Sequence, residues 1–161
     1  SVAYMITTTT VALLQNPSEL EKLRNDSSLI PAAIEEFMRY GAMFLTLFSR
    51  TATEDVELLG FRFSKGDSVA VSPVAANRNA QVFPDPNQFD VTRDAFGHLG
   101  FGHGIHGCVG QQLARVELRV AIESLISKFP KLRLLEAEQN RPMDFAHPVA
   151  TYKAGRATVS W

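Results

Sequence analysis

The sequence predicts a mainly α-helical protein with small peripheral antiparallel β-sheets, and three observations carry that expectation. Apolar residues recur at helical spacing through residues 1–40 and again from Val109 to Phe129. Residues 44–72 break into short β-like runs separated by Gly60 and by Lys65-Gly66-Asp67. Residues 73–106 carry prolines at 73, 84 and 86 and glycines at 97, 100, 102 and 104 with little periodicity, and long irregular loops inside compact domains tend to be functional.

In chain order, Ser1 to Leu14 reads as a helix with Val2, Met5, Ile6, Val11, Leu13 and Leu14 apolar and no capping residue in front. Asn16-Pro17-Ser18-Glu19 combines an N-cap type, a proline at the first helical position and an early acid, which starts a second helix running to Asp26. Ser28 caps a third through Tyr40, with Pro31 tolerated in its first turn and Gly41 ending it. Its apolar positions Ile30, Ala33, Ile34, Phe37 and Met38 share a face. The runs Phe44–Ser49, Val56–Leu59, Phe61–Phe63 and Ser68–Ser72 predict a small antiparallel sheet. After the long loop, Val109 to Phe129 forms a strong helix stopped by Pro130, with Leu113, Val116, Val120, Leu125 and Phe129 among its apolar positions. The tail from Leu132 to Trp161 suggests two or three short strands with a turn at Ala154-Gly155-Arg156.

The 161 residues are 45% apolar, enough for one substantial core, and neither repeats nor linkers divide them, so residues 1–161 are expected to act as a single unit. Sixteen basic and seventeen acidic side chains leave a net charge of −1, which points neither to nucleic acid nor to an anionic membrane. A single cysteine excludes an internal disulfide. No basic-then-apolar leader opens the chain and no apolar run approaches the ~18 residues of a membrane span, so a soluble cytoplasmic protein is expected.

That single cysteine, Cys108, lies in Phe101-Gly102-His103-Gly104-Ile105-His106-Gly107-Cys108-Val109-Gly110, directly before the long helix. Four glycines in ten residues let the backbone approach something large and flat. The helix start offers free N–H groups and a positive dipole end, which favour thiolate over thiol. A thiolate there could reach a metal.

The loop resembles the cysteine-ligand segment of the cytochrome P-450 family, Phe-x-x-Gly-x-x-x-Cys-x-Gly, with Phe101, Gly104, Cys108 and Gly110 at its fixed positions. The longer pattern of the soluble bacterial branch is met by His103, Gly104, His106, Cys108, Gly110, Leu113, Ala114 and Arg115. One departure is Gly107, where that branch usually carries a bulkier residue. Glu36 and Arg39, three apart on one helix, resemble the family's Glu-x-x-Arg element, followed by Phe83-Pro84-Asp85-Pro86, Phe89-Asp90 and Arg93.

The resemblance implies the C-terminal, haem-ligating part of the P-450 fold, in an enzyme inserting oxygen from dioxygen into a small hydrophobic substrate. Cys108 would be the axial iron ligand. His106 and Arg50 would hold the haem propionates, Phe101 and Ala114 would pack against the porphyrin, and Gly102 and Gly110 complete the cofactor loop. Glu36, Arg39 and Arg93 would form a buried network behind the haem. The family's proton-handling alcohol falls at Ser1, and Ala42–Leu47 and Val149–Thr151 resemble segments lining the substrate pocket. Electrons would come from a ferredoxin or flavodoxin-like partner, docking near Gln111, Gln112 and Arg115. The complete family fold is about two and a half times this length, so the chain is expected to lack the distal roof. It is therefore expected not to act as a competent monooxygenase by itself, and to self-associate through the surface left bare. Two other readings remain. His98, His103, His106 and Cys108 could form a zinc site, although their spacing fits no common zinc template and leaves Glu36, Arg39 and Arg93 unexplained. Alternatively the chain is a truncated or degenerate relative serving as a folded or interaction module without stable haem.

Overall fold

A computed structural model of the chain describes residues 1–44, 49–135 and 158–161. The first helix, α1, spans Val2–Gln15 and buries Met5, Ala12 and Leu13, with Thr8 and Thr9 beside them. Helix α2, Pro17–Asn25, buries Leu20 and Leu23. Asn16 does not cap it through its side chain: its amide donates to the Ala12 carbonyl at 2.8 Å and so closes the preceding helix. The expected third helix is preceded by a 3₁₀ turn at Ser27–Leu29. Its cap is Asp26 and not Ser28, because the Asp26 carboxylate accepts from both the Ser28 N–H (2.9 Å) and the Ser28 hydroxyl (2.6 Å). Helix α3 then runs Ile30–Tyr40.

Among the described residues, the β region forms two separate two-stranded ladders instead of one sheet. Strand β1, Arg50–Thr51, pairs with β4, Ser68–Val69, and β2, Val56–Leu58, pairs with β3, Phe61–Phe63, all antiparallel. Leu59 and Gly60, both at positive φ (52° and 79°), make the tight hairpin turn between β2 and β3. Helix α4, Pro73–Ala76, interrupts the region read as irregular. Its signal was present in Ser72-Pro73: the Ser72 hydroxyl accepts from the Ala75 N–H at 3.3 Å and proline takes the first helical position. Helix α5 spans Gln111–Lys128, and β5, Arg133–Leu134, pairs with β6, Val159–Ser160. The expected pocket segment Val149–Thr151, the turn at residues 154–156 and the centre of the run Phe44–Ser49 lie outside the described residues.

Helix α5 packs across α1 and α3. It does so through Leu118 and Ile122, which join Leu13, Leu23, Ile30, Ala33, Ile34, Phe37, Phe89 and Val91 in one core. Leu113, Val116 and Val120 lie on the exposed side of α5, although the same apolar periodicity includes them.

Two charged networks fasten the loops to this core. In the first, Glu36 and Arg39 are both fully buried. Glu36 accepts from Arg39 Nε at 2.6 Å and from Nη2 at 2.8 Å, the forked geometry that suits a carboxylate. The remaining guanidinium hydrogens reach the backbone carbonyls of Asn77 (2.8 Å), Pro86 (2.9 Å) and Gln88 (3.4 Å). Glu36 Oε1 also accepts from the Asp90 N–H at 3.1 Å and lies 3.4 Å from Arg93 Nε. Arg93 in turn donates to the carbonyls of Pro84, Asp85 and Gln88. In the second, Glu35 receives Arg115 Nε and Nη2 from α5 at 2.6 and 2.9 Å and stands 3.0 Å from His98 Nε2. Partial burial pushes the Glu35 carboxyl up, but hydrogen bonds from Arg115 and His98 and the Arg115 charge outweigh it and bring it down to about 2. The Glu35 hydrogen bond raises Arg115 in return, against burial.

Two outcomes are expected. Glu36→Gln leaves buried guanidinium charge uncompensated and should cost about 3–5 kcal/mol in urea unfolding. Arg39→Lys, which keeps the charge but loses the fork, should recover only part of that cost in the same measurement; a loss below about 1 kcal/mol for both would place the pair with surface salt bridges. Because the folded Glu35 carboxyl titrates at about 2, below its ordinary value of 4.5, its contribution is complete above pH 4.5 and fades as pH falls toward 2. Glu35→Gln should flatten the stability curve in that acid window, as measured by denaturant unfolding at successive pH values.

Candidate functional site

The segment Leu99–Gly110 is a closed loop resting on α3 and leading into α5. Asn77, fully buried, holds its beginning: the Asn77 amide oxygen accepts from the Leu99 N–H at 2.7 Å, while the amide nitrogen donates to the Arg39 carbonyl at 3.3 Å. The loop then turns at Gly102 and Gly104, both at positive φ (74° and 66°), a conformation that a side chain would strain. Gly107 differs: its φ of −55° suits any residue, and an added Cβ would meet only the Gly104 carbonyl, at 3.2 Å. The ring closes where the Cys108 N–H donates to the Phe101 carbonyl at 2.8 Å, with a 3₁₀ turn at Gly104–His106 between them.

Cys108 sits two residues before Gly110, the N-cap of α5, and its carbonyl accepts from the Gln111 N–H at 3.3 Å. Its thiol is free and exposed. On either side Ile105 and Val109 are exposed almost completely, at 97% and 102%. A Cβ at Gly110 would stand 4.0 Å from the cysteine sulfur, so the glycine leaves that flank of the sulfur bare. His103 and His106 are exposed, while Gly102, Ala114 and Phe101 are intermediate.

The structure thus brings Phe101, Gly102, His106, Cys108, Gly110 and Ala114 into one loop-and-helix unit. Glu36, Arg39 and Arg93 meet in a separate network behind α3. Arg50 comes from another element, the start of β1, with an exposed side chain. Ser1 is exposed at the head of α1, and its hydroxyl makes no capping hydrogen bond. Arg115, read as part of a docking surface with Gln111 and Gln112, is partly exposed and bonded to Glu35. One sequence alternative changes. His98, one member of the alternative zinc set, is turned inward on Glu35, and among the described residues no group of three or more His, Cys, Asp or Glu could hold a metal ion. Sequence reading missed Glu35 and Asn77. Glu35 lies beside Glu36 and faces the opposite partner, and no spacing rule separates the two; Asn77 has no periodic signal at all.

The family model for cytochrome P450 matches residues 13–156. Cytochrome P450-SU2 of Streptomyces griseolus is 40% identical over 161 residues, all of this chain and 40% of that protein's length. Among solved structures, the LnmA cytochrome P450 hydroxylase of the leinamycin pathway in Streptomyces atroolivaceus superposes with a TM-score of 0.87 at 38% identity, over 99% of this chain and 41% of that one. P450BioI, solved with an acyl carrier protein bearing hexadec-9Z-enoic acid, gives 0.87 at 34% identity over 99% and 40%. The chain therefore spans about two fifths of the length of the relatives it matches. With the closed cysteine loop, the buried Glu36–Arg39 pair and these matches agreeing, the chain belongs to the cytochrome P450 family.

Proposed function

We propose that residues 1–161 act as one haem-ligating unit of a bacterial-type cytochrome P450 monooxygenase, with Cys108 as the axial iron ligand. The observation that carries this reading is the exposed cysteine in a hydrogen-bond-closed, glycine-rich loop, flanked by exposed Ile105 and Val109 and by a glycine that leaves one flank open. A soft donor set in an apolar, uncovered frame fits a flat, metal-bearing organic group. When bound, a haem with thiolate ligation supplies electron density that favours cleavage of dioxygen.

The protein's own residues then have separable tasks. Cys108 binds iron, its thiolate favoured by the start of α5. Phe101 and Ala114 offer packing surface to the porphyrin, and Gly102 and Gly110 let the backbone come close. His106 and Arg50, both exposed, are assigned to the propionates, whose charge needs hydrogen-bonding cations. Glu36, Arg39 and Arg93 keep the meander folded behind the loop. Ser1 is assigned the alcohol that handles protons. The substrate is proposed to be a small hydrophobic organic molecule, the electron donor a separate ferredoxin or flavodoxin-like protein, and the compartment the cytoplasm. No helix among the described residues is long and apolar enough to cross a membrane.

The test is a visible spectrum of the purified protein with added haem, reduced and exposed to carbon monoxide. A band near about 450 nm is expected, lost in Cys108→Ser; a band only near about 420 nm in the unaltered protein would reject thiolate ligation. His106→Ala and Arg50→Ala should each weaken haem binding roughly tenfold, as loss of a charged hydrogen bond does, in a haem titration. Unchanged affinity in both would remove these residues from the site.

A further inference from the structure

The cysteine loop is held from behind by three residues that neither the Glu36 network nor the assigned haem contacts use. They are Glu35 on α3, His98 just ahead of the loop and Arg115 on α5: His98 and Arg115 both bond to Glu35 and both lie against one aromatic ring, that of Phe101. The Arg115 guanidinium lies over the ring with its carbon 4.5 Å from the centroid, and the His98 ring meets it at 5.8 Å. Each of these groups is fixed in turn. Arg115 is forked onto Glu35, and its Nη1 reaches the Gln111 side chain at 3.0 Å and the Gln111 carbonyl at 3.5 Å. The Gly100 N–H donates to His98 Nδ1 at 2.9 Å, so His98 Nε2 carries the proton that faces Glu35 at 3.0 Å. Phe101 is also the residue whose carbonyl accepts from the Cys108 N–H. An unbroken series of contacts therefore runs from the Glu35 carboxylate through Arg115 and the Phe101 ring to the Cys108 backbone.

A simple tie between helices needs the Glu35–Arg115 pair alone. It does not need the pair stacked on Phe101, nor a histidine whose two nitrogens bridge Glu35 to the loop backbone. Both features bear on Phe101, whose carbonyl accepts from the amide of the residue that carries the sulfur. We propose that Glu35, His98 and Arg115 are positioning residues that set the orientation of the Cys108 sulfur through Phe101. The purpose of that positioning rests on the iron-ligand reading of Cys108 given above.

Because Cys108 is the only cysteine, its alkylation rate reports this site alone. The experiment compares Glu35→Gln, Arg115→Met and Arg115→Lys with Arg119→Met, which breaks the exposed Arg119–Glu123 pair on the same helix without touching Phe101. Iodoacetamide labelling of the haem-free protein, at a temperature where circular dichroism shows each variant folded, is the first readout. The second is the ratio of the about 450 nm to the about 420 nm carbon monoxide bands after haem addition. Glu35→Gln and Arg115→Met should change the labelling rate roughly threefold or more, since thiol reactivity follows its local surroundings, and should shift the bands toward 420 nm. Arg115→Lys should restore part of both, and Arg119→Met should leave both unchanged. Labelling and band ratios equal to those of the unaltered protein in folded Glu35→Gln and Arg115→Met would overturn the proposal, as would an equal effect of Arg119→Met. If the unaltered protein gives no band near about 450 nm, the iron-ligand reading fails, while the labelling rates still decide the positioning role.

Discussion

A buried guanidinium with no free hydrogen to spare is the constraint on which this structure depends. Arg39 sits with Glu36 where no water reaches, and such a pair is tolerated only if each of its hydrogen-bonding groups finds a partner. The partners come from the region least able to fold by periodicity: the backbone carbonyls of Asn77, Pro86 and Gln88. The desolvation demand of one side chain thus becomes the organising force for a stretch of chain with few apolar anchors. Phe83 and Phe89 complete the arrangement, Phe83 under the Arg39 guanidinium and Phe89 stacked on Phe37 at 5.5 Å. Arg78 repeats the logic nearby, donating to Pro86 and Tyr40 carbonyls while lying 4.1 Å from the Tyr40 ring.

The helices were legible because burial on one face leaves a periodic trace. Ile30, Ala33, Ile34 and Phe37 point to α3, whereas in α5 the residues read as the stripe include Leu113, Val116 and Val120, which are exposed, and the buried ones are Leu118 and Ile122. The trace does not say which apolar residues face inward when a helix is apolar on more than one side, so Leu113, Val116 and Val120 could not be sorted from Leu118. Caps were harder, because Asn16, Asp26 and Ser28 are all competent and the choice depends on backbone angles beyond local sequence. The ladders were harder still: turn residues mark where strands end, but nothing local decides whether two hairpin arms join one sheet or remain apart.

The loop motif itself was the most legible part of the chain, since glycine positions and a single cysteine are visible in one dimension. What supports it was not. Glu35 and Glu36 are adjacent and chemically identical, yet successive helix positions diverge by about 100°, sending one toward α5 and the other toward the meander. Asn77 is a third case. It ties the Leu99 N–H to the Arg39 backbone across tens of residues of sequence, and such a bridge leaves no pattern in the string.

The bond from the Cys108 N–H to the Phe101 carbonyl closes the intervening residues into a ring. Ordering that loop costs conformational entropy. Anything that grips the sulfur then binds only molecules in which the ring is intact, and by mass action raises the free energy needed to open it. Occupancy and folding are therefore linked quantities here. The melting temperature of the protein should act as a gauge of what the sulfur holds.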